Sequence, residues 1–469
     1  MMLRYIIKKE ILEIITSLKF VFTFILCAIL ILLSVYTGVI NYRGDLKEYT
    51  TSLALVEKDI SALANIQALS GHTIRISKPP SVLGTIVNGI EESVGRVAPI
   101  SRTTDPSLID SKYDSNPVFA VFGTLDLMFI VKIVLSLFAI LFTYDAIVGE
   151  KEKGTLKLAL SNSVPRDQFI LGKAIGGYIC LLIPLLIPMI LGIVAMMIVP
   201  NVAFTSDDWL RLLMIFFMFL LYLSVFFSLG LFVSARTSRS STSFLILLFI
   251  WVIFVMVIPK IAVIAAAQIE PIPSIHEITS QKAAFLLQAE SELQNSNRKW
   301  GQEHASEYDK DPKVYQEIFM KHLVEVNRDF QLKLGSTNAA IDLKYNMERK
   351  SQQSLAENLS RISPASALSF GTMSLARTGV EEYDRFLISV RAYKGVYMNW
   401  LLSKVSQSLN AKPGGTIDSS LKDMPKHRME PEQFGESIIR TIPDFVLMIV
   451  LIIVLFAGAY FSFRRYDVR

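Results

Sequence analysis

The residue groupings in this chain that could do chemistry are few. A nucleotide-binding loop needs Gly-x4-Gly-Lys followed by Ser or Thr, so that backbone amides cradle phosphate while the lysine reaches the terminal groups. The nearest approach is Gly149 to Gly154 in GEKEKGTLK, where Thr155 and Leu156 stand in place of the lysine and the hydroxyl residue and charged side chains crowd the loop. It is not a nucleotide site. His72, His276, His304, His322 and His427 show no metal-ligand spacing, and His276–Glu277 lacks the second histidine of a zinc protease. No Gly-x-Ser-x-Gly elbow occurs. Cys27 and Cys180 both lie in apolar runs, which gives neither a disulfide framework nor a thiolate metal site. The chain is therefore expected to carry no catalytic residue, no metal and no cofactor of its own.

Charge inside apolar runs is costly, so it is the next place to look for function. Lys132 follows Asp126 by six residues, which puts it about 9 Å along a helix from that carboxylate. Lys260 interrupts another run beside Pro259, and Asp444 opens a third beside Pro443. Either the two lysines snorkel to the headgroups, or they line an outward-facing cavity or pair with Asp126 and Asp444. Methionine and phenylalanine in the runs read as ordinary packing.

These residues sit on elements that composition defines. Hydrophobic residues make up 52% of the 469, and they are clustered. Crossing about 30 Å of hydrocarbon takes about 20 apolar residues. Six stretches qualify: Phe20–Ile40, Val118–Tyr144, Ala174–Val199, Leu210–Val233, Phe244–Ala267 and Val446–Phe463. The expected fold is an all-α polytopic membrane protein with six transmembrane helices and a helical extracytoplasmic domain.

Six spans leave both termini on one side, with the second-to-third and fourth-to-fifth links. That side holds 14 Lys and Arg against seven Asp and Glu, whereas the two long opposite segments hold 30 against 31. Short basic segments stay cytoplasmic, so both termini are predicted inside. The net charge of +5 then reflects topology and is no nucleic-acid footprint, and membrane lipid is an expected partner. Residues 1–19 carry Leu3, Ile6, Ile7, Ile11 and Ile14 at helical spacing, an amphipathic helix at the inner surface. The remaining divisions are span 1 at 20–40, an outer segment at 41–117, spans 2–5 over 118–267 with a cytoplasmic link at 145–173, an outer domain at 268–441, span 6 at 442–463 and a tail at 464–469. In the outer domain Tyr383, Phe386, Val390, Tyr393, Tyr397 and Trp400 recur at helical steps, as do Phe319, Leu323, Val326 and Phe330. Antiparallel helical hairpins closing in a Gly/Pro loop at Lys412–Glu436 would bury both stripes.

The link at 145–173 is short, charged and set between two spans. The span ending in an aromatic-Asp, followed by GEKEKGTLKLALSNSVPRDQFILGK, resembles the signature of type-2 ATP-binding-cassette (ABC) permeases. That pattern runs Glu, a basic residue, Gly-Thr-Leu, a Leu-Ser turn, Arg, then Leu-Gly-Lys entering the next span. Asp145, Gly149, Glu150, Glu152, Gly154, Thr155, Leu156, Leu160, Arg166, Gly172 and Lys173 stand in those places. KPPSVLGTIVNGIEESVGR, the PIPS at 271–274 and the terminal FRRYDVR resemble a branch with a large outer insert, akin to permeases of gliding-motility and nitrous-oxide-reductase maturation loci.

The resemblance implies a permease subunit of the bacterial cytoplasmic (inner) membrane, paired with a second copy or a sister permease. ATP and Mg would be bound by a separate cytoplasmic ABC ATPase subunit, whose groove receives the link. The expected activity is ATP-driven export or mechanical work across the membrane. The outer domain at 268–441 is expected to dock an extracytoplasmic protein. The rival reading is a non-transporting membrane scaffold whose outer domain anchors an envelope complex.

Overall fold

A computed structural model describes residues 2–62, 69, 72–101, 106–109, 125–161, 165–200, 202–305, 312–410 and 423–465. The start of the second apolar run at 118–124, the loop residues 412–422, the tail 466–469 and the side chain of Leu160 lie outside the described residues. Among the described residues six helices are long and apolar enough to cross a membrane, and the protein is an all-α polytopic membrane protein.

The chain divides into two compact units, Met1–Val257 with Ser363–Arg469, and Ile258–Ile362. In the first, α1 (Met2–Ile15) precedes α2 (Leu18–Ala62), whose 45 residues continue well past the predicted end at 40. At 1.5 Å per residue α2 is about 68 Å long, twice what hydrocarbon requires. No proline or turn signal interrupts Asn41–Ala62, so nothing stops the helix. Its far half lies beside a small antiparallel pair, β1 (Ile74–Ser77) and β2 (Val97–Ile100), in register Ile74 to Ile100. The strands are joined by the Lys78–Arg96 motif, where Pro79 and Pro80 force extended backbone and a 3-10 turn follows at Val82–Thr85.

The second span is α3 (Leu127–Phe129), a π-helical turn (Ile130–Leu135) and α4 (Ser136–Thr143). The link carries α5 (Val148–Glu152) and α6 (Thr155–Ser161). The third and fourth spans are α7 (Arg166–Ile198) and α8 (Ser206–Arg236). The fifth is α9 (Ser240–Val252), a second π-helical turn (Ile253–Val257) and α10 (Ile258–Ile269). Pro259 accounts for that turn: it has no N–H to donate and its ring crowds the preceding carbonyls, so the helix widens just before it.

Ile258–Ile362 is built from α10, α11 (Ile275–Glu303) and the 49-residue α12 (Pro312–Ser360), which packs along both. The PIPS motif acquires a local reason here. Ser274 caps α11 in a box with Glu277, the serine oxygen accepting from the Glu277 amide and the carboxylate accepting from the Ser274 amide. Phe319 and Leu323 of the second predicted stripe are half-buried in this hairpin, where Trp300 stacks between His304 and His322 at 4.2 and 4.8 Å.

Residues 268–441 were expected to fold as one helical domain, and the structure divides them. From Ser363 onward the chain belongs to the unit of the spans. The reason is α13 (Pro364–Ala376), a largely buried helix of small residues packed against α8 and against α15 (Phe434–Arg464), the sixth span. Between them α14 (Val380–Asn410) carries the aromatic stripe. Phe386, Val390, Tyr393 and Tyr397 close a core with Leu69, Ile74, Ala98 and Ile100. The stripe is thus covered by the β1–β2 hairpin of the other outer segment, where a helical hairpin within 268–441 was expected. Period alone identifies a buried face but not the element that covers it.

Candidate coupling site and the charged residues of the spans

Gly149–Gly154 is mostly helix, so its amides are taken: those of Gly149, Lys151 and Lys153 donate to the carbonyls of Asp145, Ile147 and Gly149. No phosphate cradle remains in these residues. Gly154 ends α5 at φ +73°, a left-handed conformation that a Cβ disfavours, and the chain turns there into α6. The hydroxyl of Ser234 receives the amides of Ile147 and Val148, both at 3.1 Å, and so caps the start of α5 from the end of the fourth span.

Several of the link's charges are bonded within the chain. Lys173 is 6% exposed and lies 2.8 Å from Glu150 and 2.9 Å from Glu10 of α1. Burial pushes the Glu10 carboxyl up, and Lys173 pulls against that. Glu152 accepts from the amide and hydroxyl of Ser240 at the start of the fifth span. Lys151 donates to the carbonyls of Ala235 and Thr237. Asp145 pairs with Lys19 of α2 at 2.6 Å. Arg166 donates to the Arg464 carbonyl, and Asp167 accepts from the Tyr460 hydroxyl at 2.8 Å. The link therefore touches elements of every span.

Gly172 has its own role. A Cβ there would sit 2.5 Å from Ile6, and one on Gly176 would sit 2.9 Å from Glu10. These glycines let α1 lie directly on α7, so the Leu-Gly-Lys segment holds the N-terminal helix as well as opening the third span. Sequence reading placed α1 flat on a membrane surface and missed this seat. The signal was present in Gly172 and Gly176, four residues apart on one helix face.

Leu156 is buried at 1% exposure, whereas Lys153, Thr155 and Lys157 are exposed and Leu158 is 66% exposed. Among the described side chains, Lys153, Thr155, Lys157 and Leu158 thus form an outward basic and apolar face on the link. Glu150 and Glu152 are clasp residues, bonded within the chain.

The intramembrane charges find separate settings. Asp126 caps α3, accepting from the amides of Phe129 at 2.7 Å and Asn88 at 3.0 Å. Lys132 lies in the first π turn and donates to Ser369 of α13 at 3.4 Å, and its charge interacts favourably with Asp126. Its carbonyl accepts from the hydroxyls of Ser136 at 2.6 Å and Tyr222 at 2.8 Å. Lys260 is exposed on α10. Asp444 is 1% exposed on α15, its Cβ 3.7 Å from where a Cβ on Gly371 would be.

Sequence reading overlooked Arg211, which is fully buried in the fourth span. It bonds Asp207 at 2.7 Å, Ser437 at 2.7 Å, and the carbonyls of Glu432 at 2.8 Å and Leu375 at 3.3 Å. Arg377, the αL cap of α13, also reaches Asp207. Arg385 and Arg440 converge on Glu432 at 3.3 and 2.8 Å. The clue was an arginine four residues after an aspartate at the mouth of an apolar helix.

Among known families, the model described as ABC-2 family transporter protein matches residues 4–468. No curated protein matches the chain.

Proposed function

As a member of the ABC-2 transporter family, this chain is a multi-pass membrane permease component, and we propose that the link at 145–173 is where a separate ATPase subunit drives it. The observation that carries the proposal is the division of labour within the link. Glu150 and Glu152 are clasped to Lys173 of α7 and Ser240 of α9, Lys173 to Glu10 of α1, and Leu156 is buried, while Lys153, Thr155, Lys157 and Leu158 are exposed. A partner gripping the outer face would move a braced body, and the braces would pass that motion to the spans.

On this reading the face bearing the link is cytoplasmic, as its 14 basic against seven acidic residues favour. ATP and Mg are bound by the partner, and a second permease copy or sister permease completes a path for export or for mechanical work across a bacterial inner membrane. Asp126, Lys132, Lys260 and Asp444 are proposed to serve the outer part of that path. The test is Leu158→Glu with Lys157→Glu. Insertion and thermal stability should be unchanged, while ATPase capture and ATP turnover by the assembled complex fall at least tenfold. Unchanged capture and turnover would remove the assignment.

A further inference from the structure

We propose that the groove between the ends of α8 and α15 nearest the link is a binding site for one anionic phospholipid. The groove is a cleft of about 390 Å³ walled by Phe232 of α8 and by Val454, Leu455, Gly458, Phe461 and Ser462 of α15. That is near the small end of ligand clefts, the size of a head group with its glycerol and first acyl carbons. Arg236 and Arg465 line the same cleft, each just at or past the end of its helix. Both are exposed, and neither guanidinium has a carboxylate or carbonyl partner among the described residues.

The contrast with other cations of this face is direct. Lys19 pairs with Asp145, Lys173 with Glu10 and Glu150, and Lys151 and Arg166 are bonded to carbonyls. Arg236 and Arg465 thus set two unspent guanidiniums at the rim of an apolar slot, one from each helix. Guanidinium is permanently charged and matches the oxygens of a phosphodiester in a bidentate fork. The walls below are greasy and open to the bilayer side: Val454 is 60% exposed and Phe461 58%. From Val454 to Arg465 the helix rises about 16 Å, so phosphate at the rim and chain against Val454 fit a lipid lying along the groove. Charge above and hydrocarbon below select an anionic phospholipid over free phosphate, which has nothing to offer the walls.

The test uses the purified full chain in nanodiscs of phosphatidylethanolamine with one fifth phosphatidylglycerol, released into native mass spectrometry. Wild type should retain one phosphatidylglycerol in clear excess over phosphatidylethanolamine. R236Q/R465Q should lose that excess at least fivefold with an unchanged thermal midpoint. K8Q/K9Q, which removes the same charge from exposed positions on α1, should keep it. Equal loss in both variants would reduce the effect to a basic surface, and no excess in wild type would mean no site; either overturns the proposal. Displacement of the lipid by millimolar inorganic phosphate would assign a free anion in its stead and also overturns it. So would efficient crosslinking of Ser462→Cys between two copies in the membrane, since a second chain would then occupy the groove.

Discussion

Lys173 braces the link at 145–173 against α1. It stands between Glu10 and Glu150, and each is near-buried with it. Removing one member of a buried ion group strands the others, typically at a cost of about 3–5 kcal/mol. Lys173→Met should therefore lower stability by that order, and a double-mutant cycle with Glu150→Gln should show strong non-additivity. A loss under about 1 kcal/mol, the size of a surface pair, would mean the clasp carries nothing. His427 offers a pH test at the same scale. It bonds Ser389 at 3.0 Å against the rings of Phe386 and Tyr393, and burial lowers its pKa from the ordinary 6.5. A lowered histidine favours the neutral form when folded, so its contribution is complete above pH 6.5 and declines as pH falls toward the folded value. Protection of the amides of residues 423–433, taken as exchange rates corrected for the intrinsic pH dependence of exchange, should fall at pH 5 relative to pH 7.5, and His427→Gln should flatten that difference. A slope that survives the exchange would assign the effect elsewhere.

Among the elements, the two π-helical turns divide helices that sequence reads as plain spans. In the first, the carbonyl of Lys132 accepts from Ser136 and Tyr222, and Ser136 in turn accepts from the Trp251 indole at 2.8 Å. The turn is thus secured by backbone bonding across the second, fourth and fifth spans, with the Lys132 ammonium a bystander to it. Tyr222→Phe should cost about 1–2 kcal/mol, the price of one buried hydrogen bond. Lys132→Leu should leave the thermal midpoint nearly unchanged. The reverse order in thermal unfolding would show that the lysine, and not the carbonyl, holds the turn. Activity separates the remaining readings: a silent Lys132→Leu leaves only snorkelling, whereas lost transport in an assembled complex places the lysine in the path.

For the whole molecule, the division at Ile362 changes which truncation is informative. Cutting 268–441 would remove α13 and α14, and with them the packing on α8, α15 and the β1–β2 hairpin. Replacing only 275–360 by a short flexible linker spares that core. The long α11–α12 hairpin exposes Leu287, Val314, Val324, Leu332, Leu343 and Met347. We expect the shortened chain to insert, recruit the ATPase and stimulate turnover, yet fail in cells if the hairpin docks an extracytoplasmic protein. Full function in cells would make the hairpin dispensable.

The amino-acid sequence by itself determined the class and the number of spans, because about 20 consecutive apolar residues have few other fates. It also located the link, since charge between two spans must sit at a membrane face, and it identified Tyr383–Trp400 as a buried face from its period. What lay beyond it were pairings between distant residues. Glu150 and Glu152 look like free acids until Lys173 and Ser240 are brought to them, and Gly172 looks like a helix entry until Ile6 fills the space above it. Arg211 drew no reading from sequence, and only the fold brings Ser437 and the Glu432 carbonyl to it. Periodicity and hydropathy are local and specify which face is buried; only the tertiary structure supplies the partner, because these partners lie on other elements, 23 residues away for Glu150 and more than eighty for Glu152, Gly172 and Arg211.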